Sequence, residues 1–106
     1  MGAAASDKLG NIAMGYSVSS ATLNPGIRIA GRLGSDLKNF IRGETNVQTG
    51  TGSQTLVSPA RWGDYSTMQI DPVDDCTFWY TTEYIINTAN ADWATKVIGF
   101  KFNNCN

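Results

Sequence analysis

Apolar and polar residues alternate over 11–19 (NIAMGYSVS), with Ile12, Met14, Tyr16 and Val18 on one face and small or polar residues on the other. That two-residue period predicts a half-buried strand. The pattern returns over 26–33 through Ile27, Ile29, Gly31 and Leu33, after an Asn24-Pro25-Gly26 turn signal, so the two segments predict a hairpin. Residues 35–43 (SDLKNFIRG) hold one helical turn's worth of residues behind Ser35 or Asp36, but Gly34 and Gly43 bound a segment too short for a stable helix. It reads as a structured connection. Residues 48–59 are rich in Gly, Thr, Ser and Gln and read as a loop, with room for a short outer strand near 44–48 or 54–57. Aromatic and β-branched residues then predict strands at 65–70, 76–85 and 95–102. Asp71 to Asp75 and Asn87 to Asp92 supply the turns between them. No segment sustains a helical period over three turns, and the fold class is all-β.

The chain also repeats itself. A shift of 64 residues lays Ser6 to Ser17 on Ile70 to Thr81, matching Asp7 with Asp71 and Tyr16 with Tyr80. After four inserted residues, Arg28-Ile29-Ala30-Gly31 meets Lys96-Val97-Ile98-Gly99. Each copy reads as strand, acidic or Gly turn, then aromatic strand, a small antiparallel meander. Chance similarity between two amphipathic meanders is the other reading.

Composition narrows the chemistry. The 106 residues are 42% hydrophobic and 16% charged, which suits one domain with a packed core and argues against disorder. Eight Lys and Arg against nine Asp and Glu leave a net charge of −1, with the basic residues scattered, so no nucleic-acid partner is expected. No window approaches the ~20 apolar residues of a membrane span, and Met1 to Ala5 is too short for a signal peptide, so no membrane partner is expected either. The absence of histidine removes the commonest general base and metal ligand. Two distant cysteines, with no CxxC, exclude structural zinc and Cys-His nucleophiles. Any metal would be oxygen-ligated, as calcium or magnesium are.

Arg61-Trp62-Gly63-Asp64-Tyr65-Ser66, followed by Asp71-Pro72, Asp75 to Thr81 and Glu83-Tyr84, resembles the C-terminal blades of bacterial β-propeller proteins of the sialidase-like, BNR-repeat type. Asp7 to Ser17 is similar to the preceding blade. The strict Asp-box S-x-D-x-G-x-T-W is in neither copy, and a sialidase arginine triad and Tyr-Glu pair do not map, so sialidase activity is not carried over. The resemblance implies antiparallel four-stranded blades, about two per chain: residues 1–60 with their following loop, and 61–106. Propellers close at four to eight blades. Two blades per chain therefore imply a fragment that completes its ring by oligomerisation, as a homotrimer of six blades or, second, a dimer of four. The N-terminal strand is expected to complete a neighbour's last blade by strand addition.

Within that frame Arg61, Asp64 and Tyr65 enter an inner strand beside the central channel. Asp64 is the candidate acid, base or metal ligand, Arg61 the anion-steering group and Tyr65 a hydrogen-bond donor. The competing reading is an Arg61–Asp64 pair that pins the loop, with Trp62 and Tyr65 packing between blades. Three copies of Asp64 about one axis would repel unless neutralised, and calcium is the expected cation. It could activate water against an ester, phosphoester or glycoside. Glu83 with Tyr84 is a second candidate pair, weighed against a solvated strand face. Asp71, Asp74 and Asp75 resemble a calcium-binding turn but read better as turn-forming hydrogen-bond acceptors. Phe78, Trp79, Tyr80, Trp93 and Phe100 could stack on a sugar, and packing is the better use. The function expected is a self-assembling propeller fragment with no strongly specified activity, the alternative being a weak metal-dependent hydrolase of small molecules.

Cys76 opens one strand and Cys105 follows the end of the next, so antiparallel pairing brings them together. A disulfide is expected, against two buried thiols, and with it a secreted or periplasmic parent protein.

Overall fold

The computed structural model describes residues 2–55, 62–90 and 92–106. Seven strands form two antiparallel sheets, with no helix among the described residues. The first sheet runs in order β1 (Gly2–Ser6), β2 (Ile12–Ser20), β3 (Leu23–Arg32) and β4 (Thr45–Gln48). The second runs β5 (Thr67–Ile70), β6 (Phe78–Ile85) and β7 (Trp93–Phe100). All-β architecture built from two meanders is as the alternation and the repeat implied.

The two meanders share their register. Ser6 pairs with Ile12 and Ile12 with Arg32; Ile70 pairs with Phe78 and Phe78 with Phe100. Ile12 is thus the counterpart of Phe78, Met14 of Tyr80, Arg28 of Lys96 and Gly31 of Gly99. The constant shift of 64 fails after the first turn, because Asp71–Thr77 is longer by two residues than Asp7–Asn11. Tyr16 therefore corresponds to Thr82 and not to Tyr80. The matched aspartates build the same turn. Asp7 Oδ1 accepts from Leu9 N and Asp71 Oδ1 from Val73 N, both at 2.9 Å. Asp7 N donates to Asn11 O and Asp71 N to Thr77 O, closing each loop. Lys8 N donates to Asp75 O at 3.0 Å and ties one turn to the other.

Large residues of the second sheet fill space left by small ones of the first. Met68, Phe78 and Tyr80 are buried against Ala13 and Ile27, with Ala3, Ala5, Ile29, Ile98 and Phe100 around them. Phe78 stacks on Phe100 at 5.4 Å and meets Phe102 edge-on at 5.7 Å. A Cβ on Gly15 would lie 2.3 Å from Tyr80 Cε1, so only glycine lets this ring approach β2. The face of β2 turned to the core is consequently Ala13, Gly15 and Ser17. The larger Ile12, Met14, Tyr16 and Val18, which the alternation marked as one apolar face, lie on the opposite side, partly or largely exposed. Alternation groups residues by face; which face is covered depends on the shape of the partner sheet.

One local expectation changes and another is met. Asn24, Pro25 and Gly26 lie inside β3, and the hairpin turns at residues 21–22. Proline is tolerated there because the register breaks between Val18 and Ser20, opposite it, so its missing N–H removes no ladder bond. Residues 34–43 contain turns and no helix. Asp36 organises them, accepting from Leu33 N at 2.8 Å and holding Arg42 through two bonds of 2.8 Å. That guanidinium keeps the Asp36 carboxyl down at about 2.

Cys76 and Cys105 form a disulfide, Cα atoms 5.6 Å apart and both residues fully buried. It fastens the C-terminal tail beneath the turns, where buried Asn11 donates to Asp7 Oδ2 and Asn104 Oδ1 and accepts from Gly34 N.

Candidate functional site

Of the three candidate catalytic residues, Arg61 lies outside the described residues. Asp64 and Tyr65 stand in a segment that continues β5 backwards alongside β6. Gly63, at a φ of +64°, turns that segment, and its N–H donates to Glu83 Oε2 at 2.6 Å. Asp64 is half-buried, and Tyr65 is 86% exposed. Tyr65 is therefore not packed between sheets within one chain. Trp62, Asp64, Tyr65, Glu83 and Trp93 together line an open cleft of about 330 Å³.

Two carboxylates and three aromatic rings in one cleft can accept hydrogen bonds, stack on a flat apolar face or hold a cation. Among the described residues no group of three or more His, Cys, Asp or Glu could hold a metal ion. Glu83 and Tyr84 do not form a pair, since neighbouring positions on β6 point to opposite faces: Glu83 to the cleft, Tyr84 to the core. Asp71 and Asp74 are occupied by the turn itself. Asp74 accepts from Thr77 Oγ1 at 2.7 Å and from the N–H groups of Cys76 and Thr77, which hold its carboxyl down at about 2. Asp71 accepts from Trp79 Nε1 at 3.2 Å as well as from Val73. The aromatic group divides: Phe78, Tyr80 and Phe100 pack inside, whereas Trp79 and Trp93 are nearly half exposed on the outer face of the second sheet.

A further polar group lies on the outer face of the first sheet. Tyr16 stands opposite Arg28 in the β2–β3 register, and Glu44 joins them, accepting from the Tyr16 hydroxyl and pairing with the Arg28 guanidinium. The Tyr16 phenol is raised by its bond to the Glu44 carboxylate, and Glu44 is lowered by the same bond. The signal for Tyr16 and Arg28 lay in the hairpin register. Glu44 is delivered by a connection whose path the sequence pattern does not specify.

No family model, curated protein or solved structure matches this chain. The likeness to sialidase-like blades therefore rests on the residues quoted for it.

Proposed function

We propose that this chain is a building unit of a self-assembled ring: two propeller-like blades that stack on further copies of themselves, three copies giving six blades. The supporting observation is the sense in which the two sheets meet. The second sheet presents Phe78 and Tyr80 to the first, and the counterparts of these residues are Ile12 and Met14. If the sheets met through equivalent faces, as in a two-fold sandwich, Ile12 and Met14 would be in the joint. They are on the far side. The meanders thus stack front to back, Phe78-type face on Ala13-type face, and a front-to-back relation leaves one unmatched front and one unmatched back. The free front carries Ile12, Met14 and Tyr16. The free back carries Trp79, Trp93 and Val97, the last 60% exposed. A second copy supplies the cover each of them lacks.

β1 is spent within this unit: it pairs along its whole length with β2, so strand addition to a neighbour would have to use its other edge. Stacking of faces, rather than strand donation, carries the assembly. The test is the mass in solution by light scattering at micromolar concentration. Three chain masses are expected, and a monomer that persists across the accessible concentration range overturns the reading. Met14→Glu places a charge on the free front and should dissociate the assembly.

A second reading, weak hydrolysis of an ester, phosphoester or glycoside, is favoured by the joint presence of Asp64 and Glu83 in one cleft. Calcium-dependent turnover that is lost in Asp64→Asn, with the oligomer intact, would support it; turnover unchanged by a chelator would count against calcium.

A further inference from the structure

The joint inside the chain gives the register of the joint between chains. Tyr80 rests on Gly15, whose counterpart in the second sheet is Thr81. A front residue therefore lands on the back position one step further along the strand. Repeating this step with the free faces puts Met14 of one copy on Thr81 of the next. It puts the Tyr16–Arg28 pair over the Glu83–Thr95 pair, of which Glu83 lines the cleft with Trp62, Asp64, Tyr65 and Trp93. The charges agree with this docking. The strands of the free front carry Arg28 and Arg32, and Glu83 is the charged residue on the strands of the free back. In the joint within the chain the counterpart of Glu83 is Ser17, so this match is special to the free faces.

We infer that Arg28 and Tyr16 of a second copy close over the cleft of Trp62, Asp64, Tyr65, Glu83 and Trp93, with Arg28 paired to Glu83, so that the cleft is complete only at the junction of two chains. This rests on the proposed self-assembly and fixes its partner surface. Arg28 already shares Glu44 on the rim, and the second carboxylate gives its guanidinium an acceptor across the junction. Trp93 lines the same cleft, and an indole ring suits a cation.

Charge exchange tests it. Arg28→Glu and Glu83→Arg should each weaken association at least tenfold by light scattering, and the double variant should regain most of it, because each junction then pairs the same two charges in reverse. Thermal unfolding of each variant identifies loss of fold. A second arm avoids that risk: Tyr16→Cys with Thr95→Cys places thiols on opposite outer faces of one chain, where they cannot bond to each other. Oxidation should yield covalent multimers in denaturing gels. If the chains assemble, but the charge variants associate as the wild type does and no covalent multimer forms, this junction is wrong while self-assembly stands. If the wild type never assembles, both fall.

Discussion

The two meanders are built to one plan and finished differently. Both turn on an aspartate that accepts from the N–H two residues ahead, and both share a register across three strands. Yet the first lines its back with Ala13, Gly15 and Ser17, while the second fills its front with Phe78, Tyr80 and Phe100. One supplies depth and the other volume. The core belongs to the joint between the sheets and not to either sheet alone. It also separates what stabilises a chain from what would join chains in the proposed assembly, because the counterpart of a core residue in one meander is a surface residue in the other.

Tyr80 and its counterpart Met14 differ most in what they support. Tyr80→Ala empties the joint and should lower unfolding free energy by about 3–5 kcal/mol in denaturant titration. Met14→Ala should change chain stability by less than ~1 kcal/mol and act on association instead. Equal losses of chain stability would mean that the two faces are not different in kind.

Reducing the disulfide should cost about 3.5 kcal/mol in the chain-entropy model, because Cys76 and Cys105 are 29 residues apart. Its effect should fall on the second meander, whose turn and tail it connects. Unfolding followed by Trp fluorescence with and without reductant measures it.

The two turn aspartates offer a finer comparison. Asp7 is buried and accepts from Leu9 N, Asn11 N and the Asn11 side chain. Asp7→Ala should therefore lose about 2 kcal/mol. Asp71 accepts one backbone N–H and one indole N–H at a more open site, so Asp71→Ala should lose less. A larger loss at Asp71 would show that the second turn is the more tightly coupled of the two.

The smallest effect is acid sensitivity. Asp36 and Asp74 are held at about 2, below the ordinary carboxylate range. Because the folded state depresses these values, their contribution is present above pH ~4 and is lost as pH falls toward 2. Asp74→Asn should flatten the fall in melting temperature over that window, and Asp36→Asn should do so through the first meander. An unchanged profile in both would assign acid sensitivity to other groups.

Much of this architecture was legible in the chain. Period-two alternation locates β2 and β3, aromatic and β-branched content locates β5 to β7, and the spacing of Cys76 and Cys105 against the strand ends points to the disulfide. β1 was legible only through the repeat, since GAAAS has no strand-forming side chains of its own. Which face of β2 is covered was not legible, because alternation holds no information about the partner's volume, and Gly15 receives a tyrosine 65 positions away. Asn24-Pro25-Gly26 reads as the hairpin turn because proline and glycine mark turns; a break in the ladder tolerates them equally well. Of the cleft, the sequence points to Asp64 and Tyr65, and it sets Glu83 beside Tyr84, which the strand turns to the opposite face. Trp93 joins them through the β6–β7 pairing, which sets Ile85 beside it.

Front-to-back stacking, carried from chain to chain as proposed, is a one-way polymerisation. Units that join in one sense form a ring when the accumulated rotation closes and an open chain when it does not. Closure is a unimolecular event governed by the effective concentration of one end near the other, whereas growth depends on the bulk concentration. Dilute solutions therefore favour the smallest unstrained cycle, and crowded ones favour linear growth. In the proposed assembly, a slight change in the angle between the two sheets, such as a residue larger than glycine at position 15 would impose, would convert a closed ring into a filament without altering any residue at the proposed junction between chains.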